Sequence, residues 1–431
     1  MLVDFTVENY RSIKGPMTLS AVAQGRKAGA ALKGKGRPRI KPDHEIAPGY
    51  PVEGWGFELL PVLAIFGANA SGKSNVIKAL DDFLAFISWG SLGFFRRHHI
   101  HSSRVINFDQ FVPFKLDSTS STAPTRFEIR LALQGDIYTY SLSLNQEHIL
   151  SEHLDHAKAS SKRNRRLFHR DWDESKGSFV WRNGEDFRGP HTQLEESLSK
   201  EVTFIGLWHK FNIQVVDSLK AWISQQQICA QTLYGLESKN VAFILTENRD
   251  EKILELLQQF DTGISSFKRG DWTSGTHPRL FACHDTEQGS VCWPFEEESD
   301  GTKRLLGLAQ HINDVFSSGS LMILDELEKN LHPNITRAIV KMFQNPKTNP
   351  NHAQLIFTSH DNTLQRGNLL RRDQIWFTQK RSDQSTELYS LSDFKIRNDL
   401  AIDKAYLAGS FGAIPFLASE EEFIYAAEEV K

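Results

Sequence analysis

Pro61-Val-Leu-Ala-Ile-Phe66 is a short apolar run that leads straight into Gly67-Ala-Asn-Ala-Ser-Gly-Lys-Ser74. The second stretch matches G-x-x-x-x-G-K-[ST], the pattern of a phosphate-binding loop. The spacing has a chemical reason. Such a loop wraps a polyphosphate with its backbone N–H groups pointing inward, and glycine permits the tight path. From Asn75 to Ile87 apolar residues then recur at helical spacing (Val76, Ile77, Leu80, Leu84, Ile87). A helix beginning near Gly72 aims the positive end of its dipole at the phosphates. Lys73 is expected to reach the β and γ phosphates, and Ser74 to offer its hydroxyl to Mg²⁺. Asn69, Ala70, Ser71, Gly72 and Asn75 are the remaining expected nucleotide contacts on this loop. A buried strand, a phosphate loop and a helix in this order restrict the chain to an α/β fold.

A second apolar run, Leu321-Met-Ile-Leu324, ends in Asp325 and Glu326. Acids inside a buried strand are costly, whereas at its C-terminal end they project into the ligand crevice. Asp325 is placed to hold Mg²⁺, directly or through water, and Glu326 to polarise an attacking water. Read alone, the run also fits a strand ending in a solvated turn. Leu355-Ile-Phe-Thr358 and Gln374-Ile-Trp-Phe377 are further short strands, and Asn334 to Phe343 reads as a helix between the first two. Strands alternating with helices imply a mostly parallel sheet.

Other segments have different patterns. Leu2 to Asn9 alternates, with Val3, Phe5 and Val7 on one face. Phe127–Leu131 and Tyr138–Leu144 also alternate, and Gly135-Asp136 between them predicts a β-hairpin. Residues 185–260 carry longer helical patterns, such as Glu251 to Phe260, and 24–48 reads as a loop or insertion. These patterns predict three parts: 1–155, an N-terminal lobe with the phosphate loop and hairpin; 156–290, a mostly helical insertion; 291–431, a C-terminal lobe.

Hydrophobic residues make up 40% of the 431 residues and charged residues 24%, enough to bury a large core. The net charge of −3 excludes a chain that coats nucleic acid with its whole surface, so any such binding would have to come from local patches. Three such patches exist: 26–41, Arg96–His101 with Arg104, and Lys162–Arg166 with His169 and Arg170. Each is also accounted for as solvated surface or a partner-docking face. The three cysteines argue for a reducing compartment and against a disulfide framework. Cys283, His284 and Cys292 lack an evident fourth zinc ligand. No apolar run approaches a membrane span and no signal pattern opens the chain, so it is read as soluble and cytoplasmic.

The run Leu324-Asp-Glu-Leu-Glu-Lys-Asn-Leu-His-Pro333 resembles the Walker B and D-loop region of ABC-class ATPases of the SMC, RecF and OLD type. Asn9-Tyr-Arg-Ser12 resembles that class's N-terminal element. Glu298-Ser-Asp-Gly-Thr302 looks like its signature motif, and Thr358-Ser-His-Asp361 like its switch-histidine motif. Apart from the resemblance, Ser299–Thr302 fits a helix cap and His360 a strand end. The resemblance implies an ABC-type P-loop ATPase head with a mostly parallel core sheet, an antiparallel β subdomain and a helical insertion. It implies ATP and Mg²⁺ as cofactors and a homodimer, or a higher homo-oligomer, in which two heads sandwich two ATP molecules. Ser299 and Gly301 would contact the γ-phosphate bound by the opposite head, while His360 and Glu326 act from the same head and Arg11 touches the nucleotide. The Q-loop has no clear position, and Glu152 only falls where one could lie.

Val112–Asp117, the hairpin, Ile149–Leu154 and Tyr406–Pro415 are similar to the bacterial AAA/ABC ATPases that include RloA and AbiLi, found in phage-defence systems such as AbiL and PARIS. That resemblance implies a separate effector, often a Toprim-type nuclease. No D-x-D follows His360, as a fused Toprim domain would need, and Asp171-Trp-Asp173 is the one such pair weighed as a metal site. The expectation is a sensor or scaffold ATPase controlling an effector. The alternative is a RecF-like DNA-repair ATPase. A transporter subunit fits less well, given the N-terminal Asn9–Ser12 element and the Leu-His-Pro after the acids.

Overall fold

In the computed structural model the described residues are 1–24, 49–89, 108–187, 195, 198–207, 217–225, 227–228, 250–270, 279–367, 369–397 and 400–415. The phosphate-loop strand lies inside a six-stranded sheet. Its order is β11 (Gln227–Ile228), β15 (Leu321–Leu324), β16 (Gln354–Thr358), β5 (Val62–Gly67), β17 (Ile375–Lys380) and β18 (Thr386–Ser390). All pairings are parallel except β17 with β18. Every residue of β5, β15 and β16 is buried, as expected of strands covered on both faces.

The two-residue strand period sorts the side chains into two cores. Leu63 and Ile65 face the layer of helix α1 (Lys73–Trp89), with Val76, Ile77, Leu80 and Phe83. Val62, Ala64 and Phe66 face the opposite layer, which holds the later helices Asp300–Ser318 and Pro333–Gln344. Because β5, β15 and β16 run parallel, Gly67, which ends β5, and Asp325 and Ser359, which follow β15 and β16, lie on one edge of the sheet, where α/β folds bind ligands.

A seven-stranded antiparallel sheet forms the second unit, in the order β10 (Ser178–Asn183), β9 (Asn164–Asp173), β8 (Ile149–Ala157), β7 (Asp136–Leu144), β6 (Thr125–Leu133), β1 (Leu2–Glu8), β2 (Met17–Ser20). The expected hairpin is β6–β7. Leu133 pairs with Asp136 across Gln134 and Gly135, whose φ values of 52° and 85° make the two-residue turn that matches strand twist. Two small sheets complete the strands: β3 (Tyr50–Pro51) with β4 (Glu58–Leu59), and β12 (Ser266–Arg269), β13 (Leu280–Thr286), β14 (Gly289–Pro294).

Short helices α2 (Ser118–Thr122), α3 (Phe204–Leu207), α4 (Asp217–Gln225) and α5 (Asp250–Gln259) lie between the strands. The helices α6 (Asp300–Ser318), α7 (Pro333–Gln344) and α8 (Ile402–Leu407) follow later in the chain. Sequence explains where α7 begins. His332 Nδ1 accepts from the Asn334 amide at 3.2 Å, and Pro333 takes the first helical position, where no amide hydrogen is needed. None of the helices among the described residues is long and apolar enough to cross a membrane.

Three expectations are corrected. Residues 156–290 are not mostly helical among the described residues, since β9, β10, β12 and β13 lie there and β9 and β10 extend the first lobe's sheet. Five consecutive polar residues, Lys162–Arg166, mask the alternation at the start of β9. The boundary at 155 falls inside β8. The cysteines are not all free thiols, because Cys283 and Cys292 stand directly opposite on β13 and β14 and form a disulfide. That pairing removes both as zinc ligands, and His284 Nε2 instead meets Glu298 Oε1 at 2.8 Å.

Candidate nucleotide-binding site

The loop after β5 is shaped by its glycines. Gly72 has φ +105°, and a Cβ there would lie 2.0 Å from Thr386 Oγ1. The loop needs this closeness, because Thr386 Oγ1 donates to the Ser71 carbonyl at 3.0 Å and pins the turn to β18. Ser71 is buried, and its hydroxyl pairs with Thr378 Oγ1 at 2.6 Å. Ala70 also adopts a left-handed backbone, φ +61°. The loop is thus held from outside by β17 and β18.

Lys73 is the first residue of α1 and is 5% exposed. Its Nζ donates to the Gly67 carbonyl at 2.8 Å and the Ala68 carbonyl at 3.0 Å. Burial lowers the ammonium's pKa, partly offset by Asp325, Glu328 and Glu326. A buried cation of this kind, hydrogen-bonded among the described residues to its own loop, is well suited to an incoming anion.

The acids after β15 are fixed by β16. Thr358 Oγ1 donates to Asp325 Oδ1 at 2.5 Å and accepts from the Glu326 amide at 2.8 Å. Ser74 Oγ donates to the same Asp325 oxygen at 3.2 Å. Two hard oxygen groups from different elements therefore meet beside the loop, a donor set suited to Mg²⁺. Glu326 has φ +52°, an uncommon backbone for a non-glycine residue. It is held there by Arg304 of α6, whose Nη2 donates to its carbonyl at 2.6 Å, and by Thr358. Strain maintained by such partners is a mark of functional positions. Glu328 Oε1 accepts from the His360 amide at 2.6 Å, which ties the loop after β15 to the loop after β16.

These residues enclose one cavity of about 720 Å³. Asn69, Ala70, Gly72, Lys73, Ser74 and Asn75 line it, together with Arg11 at one part and Glu326 and His360 at another. Asp325 reaches it through Ser74. Ser299 and Gly301 do not line it. Ser299 is the exposed N-cap of α6, its Oγ accepting from the Thr302 amide at 3.1 Å, and a Cβ on Gly301 would meet the Asn330 carbonyl at 2.9 Å. Cap geometry alone accounts for Ser299, the residue that the sequence resemblance assigns to the signature motif.

Lys380 and Gln384 also line the wall and carry no motif, while Ser12 and Val112–Leu116 lie in segments the sequence marks only as resemblances, not as site residues. Ser12 is the link. Its Oγ accepts from Asn75 Nδ2 at 2.7 Å and lies 2.7 Å from Thr386 Oγ1. The Asn9–Ser12 element, singled out in the sequence, could have flagged it.

Other candidates fall elsewhere. Glu152 is fully buried and away from the cavity, where it accepts from Tyr140, Arg170 and the amides of Phe204 and Ile205. It is a structural carboxylate and no Q-loop residue. Asp171 pairs with His153 and Arg182, and Asp173 with Lys176, so cations already occupy the D-x-D pair. No group of three His, Cys, Asp or Glu among the described residues could hold a metal ion. Lys162–Arg166 are exposed, but His169 bonds Asp155 at 2.9 Å and Arg170 is buried. The stretches 26–41 and 96–104 lie outside the described residues.

A parallel sheet with a phosphate loop on its central strand, a buried loop lysine and an Asp–Glu pair on a nearby strand define a P-loop ATPase. The chain belongs to the family described as "AAA domain, putative AbiEii toxin, Type IV TA system", whose model matches residues 62–365. Among solved structures it is similar to an SMC head bound to the C-winged helix domain of ScpA, with 12% identity over 90% of this chain and 97% of that one (TM-score 0.43). It is also similar to the SMC head domain from Thermotoga maritima, with 12% identity over 90% and 98% (TM-score 0.39). A third is the Smc head domain with an extended coiled coil bound to the C-terminal domain of ScpA derived from Pyrococcus furiosus, with 9% identity over 95% and 98% (TM-score 0.41). No curated protein matches the chain.

Proposed function

We propose that the chain is the ATPase of a bacterial anti-phage defence system, in which ATP joins two copies head to head and the joined state controls a separate effector nuclease. The observation that carries this reading is the incomplete site. Glu326, His360 and the phosphate loop share one cavity, while Ser299 and Gly301 stand outside it at the exposed start of α6. A second copy offering its own Ser299 and Gly301 would complete the γ-phosphate shell. The description of the family includes a type IV toxin–antitoxin system, which supports a defence role.

Chemically, Lys73 and the loop amides would hold the β and γ phosphates, and Ser74 and Asp325 would hold Mg²⁺. Mg²⁺ would neutralise charge on the phosphates. Glu326 orients and polarises the attacking water, and its fixed backbone keeps the carboxylate in place. Glu328 keeps the His360 backbone beside the γ-phosphate position. ATP then acts as glue between subunits, and hydrolysis releases them.

The effector reading is tested by co-purification with the product of the neighbouring gene. Recovery of a Toprim-type nuclease is expected, and full protection by this chain alone would contradict the reading. The exposed Lys162–Arg166 run favours one alternative, a RecF-like ATPase that clamps DNA. It predicts ATP-dependent DNA binding that weakens steeply with salt. An ATP turnover rate indifferent to DNA would count against it.

A further inference from the structure

The phosphates do not account for the whole cavity. Its walls run from Glu326 and His360, past Lys73, to Arg11, the segment Val112–Leu116 and Gln384. A volume of about 720 Å³ suits an entire small-molecule ligand. The far end is built with care. Lys14 Nζ lies 3.1 Å from Asp117 and 3.4 Å from Asp383, so one cation fastens the 112–117 segment to the β17–β18 turn. The Arg11 amide donates to the Val112 carbonyl at 2.7 Å, and the Phe114 amide donates to Asn9 Oδ1 at 3.0 Å. These bonds set the segment against Asn9 and Arg11.

Two residues on this end lack a structural explanation. Leu116 is 70% exposed, the highest value among the exposed large hydrophobics of the described residues. A lone exposed leucine is ordinary, but this one lines the cavity. Gln384 has φ +64° in a turn closed by its amide to the Arg381 carbonyl at 2.9 Å. Its Oε1 accepts from Lys380 Nζ at 3.3 Å, which orients the carboxamide and keeps its NH₂ side available to a ligand.

We infer that this end of the cavity is an adenine-reading subsite, with Leu116 against the base and Gln384 at its edge. The inference rests on the ATP-binding reading and deepens it by assigning base selectivity to named residues. A carboxamide offers one acceptor beside one donor, which matches the amino group and ring nitrogen of adenine. The corresponding edge of guanine presents two acceptors and leaves Oε1 facing O6. Leu116 supplies apolar area that any base would cover, so it adds affinity without discrimination.

The test compares binding of ATP, GTP and inorganic tripolyphosphate by calorimetry to the wild-type chain, Leu116→Ala and Gln384→Ala. Wild type is expected to prefer ATP over GTP by about tenfold, and Gln384→Ala to reduce that preference to about twofold. Leu116→Ala is expected to weaken ATP and GTP alike, by about fivefold. Tripolyphosphate should bind all three proteins equally, which also shows that the variants are folded. Wild-type selectivity and affinity in both variants would overturn the subsite. Failure of tripolyphosphate to bind wild type, together with unchanged ATP binding by Lys73→Ala, would instead overturn the underlying phosphate-loop assignment.

Discussion

Among the described residues Lys73 Nζ donates to two carbonyls of its own loop, and burial already disfavours its charge. A polyphosphate would relieve both conditions, so Lys73→Ala should weaken ATP binding by about 10- to 100-fold, the worth of one charged hydrogen-bonding group. Fluorescent-nucleotide titration reads this directly, and unchanged affinity would mean the loop holds no triphosphate. Gly72→Ala makes a second case. The added methyl group would occupy the space of Thr386 Oγ1, in a backbone region hostile to side chains. The variant should lose ATP binding through a displaced loop. Both positions were legible in the sequence, because phosphate chemistry dictates their spacing. Gln384 and Leu116 were not, because tertiary contacts bring them to the site, among them the bridge of Lys14 to Asp117 and Asp383 and the bonds of Val112 and Phe114 to Arg11 and Asn9. The disulfide was hidden for a similar reason: strand register alone places Cys283 opposite Cys292.

At the scale of elements, the antiparallel sheet and α3 are joined by a buried charge network. Arg170 Nε donates to Glu152 Oε2 at 2.8 Å and its Nη2 donates to the Val202 carbonyl at 2.6 Å. Its guanidinium also lies 4.1 Å from the centre of the Phe179 ring. Glu152 in turn accepts the amides of Phe204 and Ile205 where α3 begins. Removing one partner strands the other charge in the core. Arg170→Ala should therefore cost about 3–5 kcal/mol in urea unfolding. A loss under about 1 kcal/mol would place this pair among the weak surface bridges. Sequence periodicity located α1, α5 and α7 and the parallel strands β5, β15, β16 and β17, but not the two-residue β11. It missed β9 and β10. Their partners are other strands of the same sheet, and basic side chains interrupt their alternation.

The six-stranded sheet is assembled from distant parts of the chain, since β5, which ends at Gly67, and β15, which Asp325 follows, are separated only by β16. That assembly was readable because each half ends in its own chemical motif. Its completion by a second copy is the larger proposal. In a Glu326→Gln background, ATP should convert monomer to dimer in light scattering, and Ser299→Arg should keep the chain monomeric while ATP still binds. Dimers that form without ATP, or that ignore Ser299→Arg, would contradict the sandwich. The central claim is that this chain hydrolyses ATP with Glu326 directing the water, and phosphate release at saturating ATP tests it most directly. Glu326→Gln should bind ATP within about twofold of wild type yet release phosphate at least about 100-fold more slowly. Equal release rates from the two proteins would remove Glu326 from the chemistry.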